Sequence, residues 1–156
     1  YNLGLVAKRR GDLAEAELLY RESLTIEREI GARSSHNLSG IAELASLRGD
    51  LAEAERLYRE SLAICLESGD RYGEGQSLHK LGLIAKRRGD LAEAERLYRE
   101  SLTIQREIGH REGEARLLIH LGDIISNDRR RMYTEAVRIQ REIGIPIDQW
   151  FIDNGY

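Results

Sequence analysis

The chain has almost no proline: Pro146 is alone among 156 residues and stands near the C-terminal end. Proline breaks helix interiors, so nearly everything before it is free to be helical. Cysteine is equally scarce. Cys65 alone cannot form an intramolecular disulfide, and it excludes a zinc site built of cysteines. A reducing cytoplasm is the expected setting. Apolar runs extend over only a few residues, so no segment is expected to span a membrane. A signal peptide is not expected, because Lys8, Arg9 and Arg10 fall where an apolar stretch would be needed. Neither sign of charge prevails. The 24 basic and 27 acidic residues leave a net charge of -3, without the strongly basic balance that nucleic acid favours. An initiator Met is missing too. The chain opens on Tyr1-Asn2-Leu3-Gly4 and is expected to be a piece of a longer protein.

What is plentiful is charge and repetition. The 33% of charged residues suits helices with solvated outer faces. Gly49 to Leu62 reads GDLAEAERLYRESL, and Gly89 to Leu102 reads the same. Gly11 to Leu24 differs only in Leu18, where the others have Arg. The preceding segments repeat as well: LGLVAKRRGD from Leu3 and LGLIAKRRGD from Leu81 differ by one methylene. A period near 40 residues is the signature of stacked supersecondary units.

Each unit reads as two helices. Helix A is predicted over Gln76 to Arg88, with Leu78, Leu81, Ile84 and Ala85 on one face. Gly89 ends it, and Asp90 starts helix B as its cap, with Glu93 completing a capping-box pattern. Helix B should bury Leu91, Ala94, Leu97, Tyr98, Ser101, Leu102, Ile104 and Ile108 before Gly109 closes it. A single glycine between the helices dictates an antiparallel hairpin. Small residues should mark the crossing: Gly4, Ala42, Gly82 and Gly122 on helix A, and Ala16, Ala54 and Ala94 on helix B. Tyr20, Tyr58 and Tyr98 fill the adjoining space.

The order Leu81-Gly82, Gly89-Asp90, Ala94, Tyr98, Ser101-Leu102 resembles the tetratricopeptide repeat. The common repeat has 34 residues. The longer unit here is similar to those of Pins-type cell-polarity adaptors, kinesin light chains and bacterial signalling ATPases of the STAND class. The resemblance implies an all-α, right-handed superhelical solenoid of antiparallel hairpins with helix A on the concave side. It also implies a non-catalytic scaffold that binds protein or peptide.

The units are expected at about 1–31, 32–69, 70–109 and 110–144, with a capping segment at 145–156. Unit one lacks the start of its helix A, so its N-terminal edge is uncovered. Self-assembly through that edge, as a homo-oligomer, is the alternative function. In unit four, Ser126-Asn127-Asp128 replaces the usual turn, with Asn127 or Asp128 as cap. Ile147, Trp150 and Phe151 predict a short final helix over the last apolar edge.

Little points to catalysis. The histidines, His36, His79, His110 and His120, form no HExxH pattern, and no GxSxG elbow or phosphate loop occurs. Gly73-Glu74-Gly75 reads as a linker turn. Cys65 aligns with Glu27 and Gln105, which predicts a partly exposed, unreactive thiol. The paired acids Glu53, Glu55 and Glu60 recur beside arginines and read as a solvated, ion-paired face. No enzyme activity, cofactor or metal is expected.

On the orientation that the resemblance implies, the groove is lined by Leu5, Lys8 and Arg9 in unit one and Glu43 in unit two. Unit three supplies His79, Lys80, Leu83, Lys86 and Arg87, and unit four supplies Arg116 and His120. The basic lean of units one and three predicts a peptide partner with acidic residues. The Lys/Asn/Arg clamp by which chaperone-tail adaptors hold a terminal carboxylate is not expected, since Leu5, Gly40 and Glu43 fall where its polar groups would lie.

Overall fold

A computed structural model describes residues 2–156. Among these, the chain forms α1 (Asn2–Arg9), α2 (Leu13–Glu29), α3 (Ser35–Leu47), α4 (Leu51–Ser68), α5 (Arg71–Arg87), α6 (Leu91–Glu107), α7 (Arg111–Ile124), α8 (Arg129–Ile143) and α9 (Gln149–Asp153). The first eight pack as sequential hairpins, α1 on α2 through α7 on α8. Each second helix also packs on the first helix of the next hairpin, and α3 touches α5 directly. One continuous core runs through the stack.

The hairpin turn follows from two residues. Gly89 adopts φ +82°, a left-handed conformation costly for a side chain with a Cβ. The Asp90 carboxylate then accepts the Glu93 N–H at 3.1 Å, as Asp12 and Asp50 do for Glu15 and Glu53. Only this half of the capping box forms. The Asp90 N–H already donates to the Ala85 carbonyl at 3.0 Å, and Glu93 accepts from Arg96 instead.

The crossing is as tight as its small residues require. A Cβ on Gly82 would lie 2.5 Å from Cε1 of Tyr98, and one on Gly4 would lie 2.6 Å from Cε1 of Tyr20. Gly122 meets Tyr133 in the same way. Ala16, Ala54 and Ala94 are fully buried on the facing helices.

Helix A is longer than the sequence pattern suggests. The α5 helix begins at Arg71, so Gly73-Glu74-Gly75 is its first turn and not a linker. Its start is capped by the Asp70 carboxylate, which accepts the Gly73 N–H at 2.9 Å. The glycines here serve close packing: a Cβ on Gly75 would stand 3.1 Å from Cγ2 of Ile104. This extra turn covers the positions of Cys65 and Gln105, which are buried and not partly exposed. Leu91 and Ile108 show the opposite departure, at 49% and 37% exposure. Leu91 stands in the first turn of α6 and Ile108 beyond its last, where the hairpin partner gives no cover. In unit four Asp128 occupies the cap position of α8 without a side-chain cap bond. The short α9 then seats Phe151 against Tyr133 and Val137, while Trp150 remains half exposed.

Candidate functional site: the helix A face

Two adjoining hollows lie along the first helices of the hairpins. The larger, of about 230 Å³, is bounded by Leu5 and Lys8 of α1, Ser39 and Glu43 of α3, and Gln76 and Lys80 of α5, with Tyr20 and Tyr58 also in its lining. The smaller, of about 120 Å³, lies between Glu43, Ser46 and Leu47 of α3 and Lys80, Leu83 and Arg87 of α5. Thus Leu5, Lys8, Glu43 and Lys80 converge on one hollow, and Leu83 and Arg87 join Glu43 and Lys80 at the next. Arg9, Lys86, Arg116 and His120 line neither.

The lysines are not free charges. Lys8 Nζ lies 2.5 Å from Glu43 Oε2, and Lys80 Nζ lies 3.6 Å from Glu43 Oε1. Burial would raise the Glu43 carboxyl, but the two lysines outweigh it and hold the group below its ordinary value. The same rung recurs two units along. Lys86 matches Lys8 in the repeat and pairs with Asp123, the counterpart of Glu43, at 2.7 Å. Asp123 also accepts from the Tyr133 hydroxyl at 2.8 Å. Arg87 donates to the Ser46 carbonyl at 3.0 Å and to its hydroxyl at 2.7 Å. Successive helices A are therefore laced by charge along this face. The lysines and carboxylates of these rungs are 22–36% exposed, so a ligand can reach them. Arg116 is engaged by Glu112 at 2.5 Å, while Arg9 is exposed and makes no ion pair.

His79 does not open into the groove. It is buried, with its ring 5.1 Å from that of His120 and 6.0 Å from that of Tyr98. His120 stacks on Tyr98 at 5.4 Å. Burial first, and then the neighbouring His120, Lys80 and Arg116, push the His79 imidazole down to about 3. His120 is lowered mainly by burial. Its Nδ1 lies 4.0 Å from Asp123 Oδ2, beyond hydrogen-bond range.

Tyr72 and Ser35 also line the larger hollow and were missed by the pattern. Both stand in the first turns of α3 and α5, and the predicted helix A begins only at Gln76. The parallel DRYGEGQSL and HREGEARLL, each beginning one residue after a helix-ending glycine, was the available signal.

A family model described as tetratricopeptide repeat matches residues 1–67, 33–107 and 73–143. The chain belongs to the tetratricopeptide repeat family. Comparison with curated proteins gives no match. Among solved structures, BtubC (BKLC) from P. vanneervenii superposes with a TM-score of 0.77 at 24% identity, over 90% of this chain and 60% of that one. The chain therefore spans about 60% of the length of BtubC. A putative kinesin light chain from Podosopora anserina, with nearly identical TPR-like repeats, superposes with a TM-score of 0.65 at 19% identity, over 91% and 70% of the two chains. At these identities the likeness carries the fold. Tetratricopeptide repeats generally bind proteins and are generally non-catalytic. No helix among the described residues is long and apolar enough to cross a membrane.

Proposed function

We propose that this array is a non-catalytic scaffold, part of a larger signalling or adaptor protein, that binds a peptide segment along its helix A face. The observation that carries the reading is the convergence of Leu5, Lys8, Glu43 and Lys80, from three successive units, on one hollow of about 230 Å³. That volume accepts one large side chain, and its tyrosine lining offers apolar area with polar tips. The lysines favour acidic residues beside that anchor, because a ligand carboxylate competes with Glu43 for two cations at once. The test is a peptide-array screen comparing the chain with a variant carrying Lys8→Glu, Arg9→Glu, Lys86→Glu and Arg87→Glu. Acidic ligands lost in the variant support the groove. Equal capture by both proteins removes it.

A second reading is self-association through unit one. Leu3 and Val6 are 70% and 45% exposed, whereas their counterparts Leu81 and Ile84 are 4% and 2% exposed. Concentration-dependent mass tests it.

A further inference from the structure

The second helices of the units share a sequence but not a charge. In α2 five acidic side chains face two basic ones; in α4 the ratio is four to two, and in α6 four to three. In α8 it reverses to two acidic against five basic. The outer helices are therefore negative at one end of the array and positive at the other.

Two local changes create this polarity. In units two and three an arginine captures the acids around it: Arg56 binds Glu53 and Glu60, and Arg96 binds Glu93 and Glu100. Unit one has Leu18 at that position, so Glu15 and Glu22 make no ion pair. Leu18 itself is 58% exposed. In unit four the change runs the other way. Arg130 stands where Glu17, Glu55 and Glu95 stand in the other units, and those glutamates hold Arg21, Arg59 and Arg99. Arg131, in the register of Arg96, is exposed and unpaired. Arg138 replaces the small residue found as Thr25, Ala63 and Thr103, and it pairs on its own helix with Glu142 at 2.5 Å.

We infer that the array associates head to tail with a second copy of itself, the Glu15–Leu18–Glu22 stripe of α2 meeting the Arg131–Arg138 stripe of α8. The inference rests on the self-association reading and gives it a partner surface. The spacing fits. Glu15 and Glu22 are seven residues apart, as are Arg131 and Arg138, which is two helical turns or about 10.5 Å in each case. Glu15 can then close on free Arg131 while Glu22 competes with Glu142 for Arg138, with exposed Leu18 laid against the small Thr134 between the arginines. Because the two surfaces differ and lie at opposite ends, the contact is heterologous, and each addition leaves a free stripe at both ends. Association is then open-ended rather than dimeric.

Sedimentation of the whole chain at rising concentration tests this with two charge-swap variants, Glu15→Arg/Glu22→Arg and Arg131→Glu/Arg138→Glu. The expected result is a mass that climbs above 17.8 kDa at low salt and falls back near 1 M salt, where the Debye length is about 3 Å. Each variant alone should associate at least about tenfold more weakly, since like charges then face each other. An equimolar mixture of the two should regain association, because each supplies the face the other lacks. Circular dichroism of both variants establishes that they are folded. If the folded variants associate as the wild type does, the head-to-tail contact is overturned while self-association stands. A wild type that stays at monomer mass throughout overturns both.

Discussion

Acidification should loosen the array at the junction of its third and fourth units. His79 is 6% exposed and faces His120, with Lys80, Lys86 and Arg116 as the surrounding cations and Asp123 as the one nearby acid. In the folded chain the His79 imidazole takes a proton only near pH 3. Once unfolded, it takes one near its ordinary value of about 6.5. For a base whose folded value is depressed, the unfolded chain binds the proton first. Stability is then complete above about pH 6.5 and is lost as the pH falls. The slope approaches about 1.4 kcal/mol per pH unit for one such group. Between pH 6.5 and 4.5 the loss from His79 is about 2 kcal/mol, a sizeable share of a typical total of about 5–15 kcal/mol. His120, lowered in the same direction, adds to it. The carboxylates with lowered values, such as Glu43 and Asp123, contribute only at lower pH. Urea melts at pH 7.5 and 5.0 check the effect, with His79→Ile as the control, since Ile119 occupies that register in unit four. The variant should lose much of the slope. An unchanged slope in His79→Ile, or a wild type equally stable at both pH values, would refute the assignment to these imidazoles.

Three further outcomes follow from the packing. Gly82→Ala drives a Cβ to within 2.5 Å of the buried Tyr98 ring. The overpacking, about 1–3 kcal/mol, should exceed the helix-propensity gain of about 1 kcal/mol, so urea midpoints should fall. Asp90→Ala removes the bond to the Glu93 N–H and should cost about 0.5–2 kcal/mol, read from the same melts. Cys65 is buried, and burial pushes its thiol up. A chromogenic disulfide reagent should therefore modify it slowly in buffer and rapidly in urea; fast reaction in buffer contradicts the packing of Gly73 over the sulfur.

The parts of this structure that were legible in the sequence are those set by neighbours within one hairpin. Gly82 opposite Tyr98, and Gly89 followed by Asp90, state a crossing and a turn in residues whose sizes and φ preferences leave few alternatives. The first turns of helix A were not legible. Gly73 and Gly75 look like breakers, but in the stack they are spacers that let α5 lie against Cys65 and Ile104. Tertiary packing outweighs their poor helix propensity. The same oversight exposed Cys65 on paper and left Tyr72 out of the groove. The ion rungs were illegible for another reason. Lys8 and Glu43 were both placed on the groove, but their pairing depends on how far one unit turns against the next, which no single repeat encodes. His79 and His120 stand at neighbouring helix A positions one repeat apart. That His79 is buried beside a half-buried His120, which stacks on Tyr98 of α6, follows only from the seating of α7 on α6.

The most direct test of groove binding is photo-crosslinking of a captured peptide from single positions on the two faces. A benzoylphenylalanine at Ser39, in the lining of the larger hollow, is compared with one at exposed Arg56 of α4. Crosslinks from Ser39 and none from Arg56 are expected. Crosslinks from Arg56 alone would place recognition on the outer helices and contradict the account.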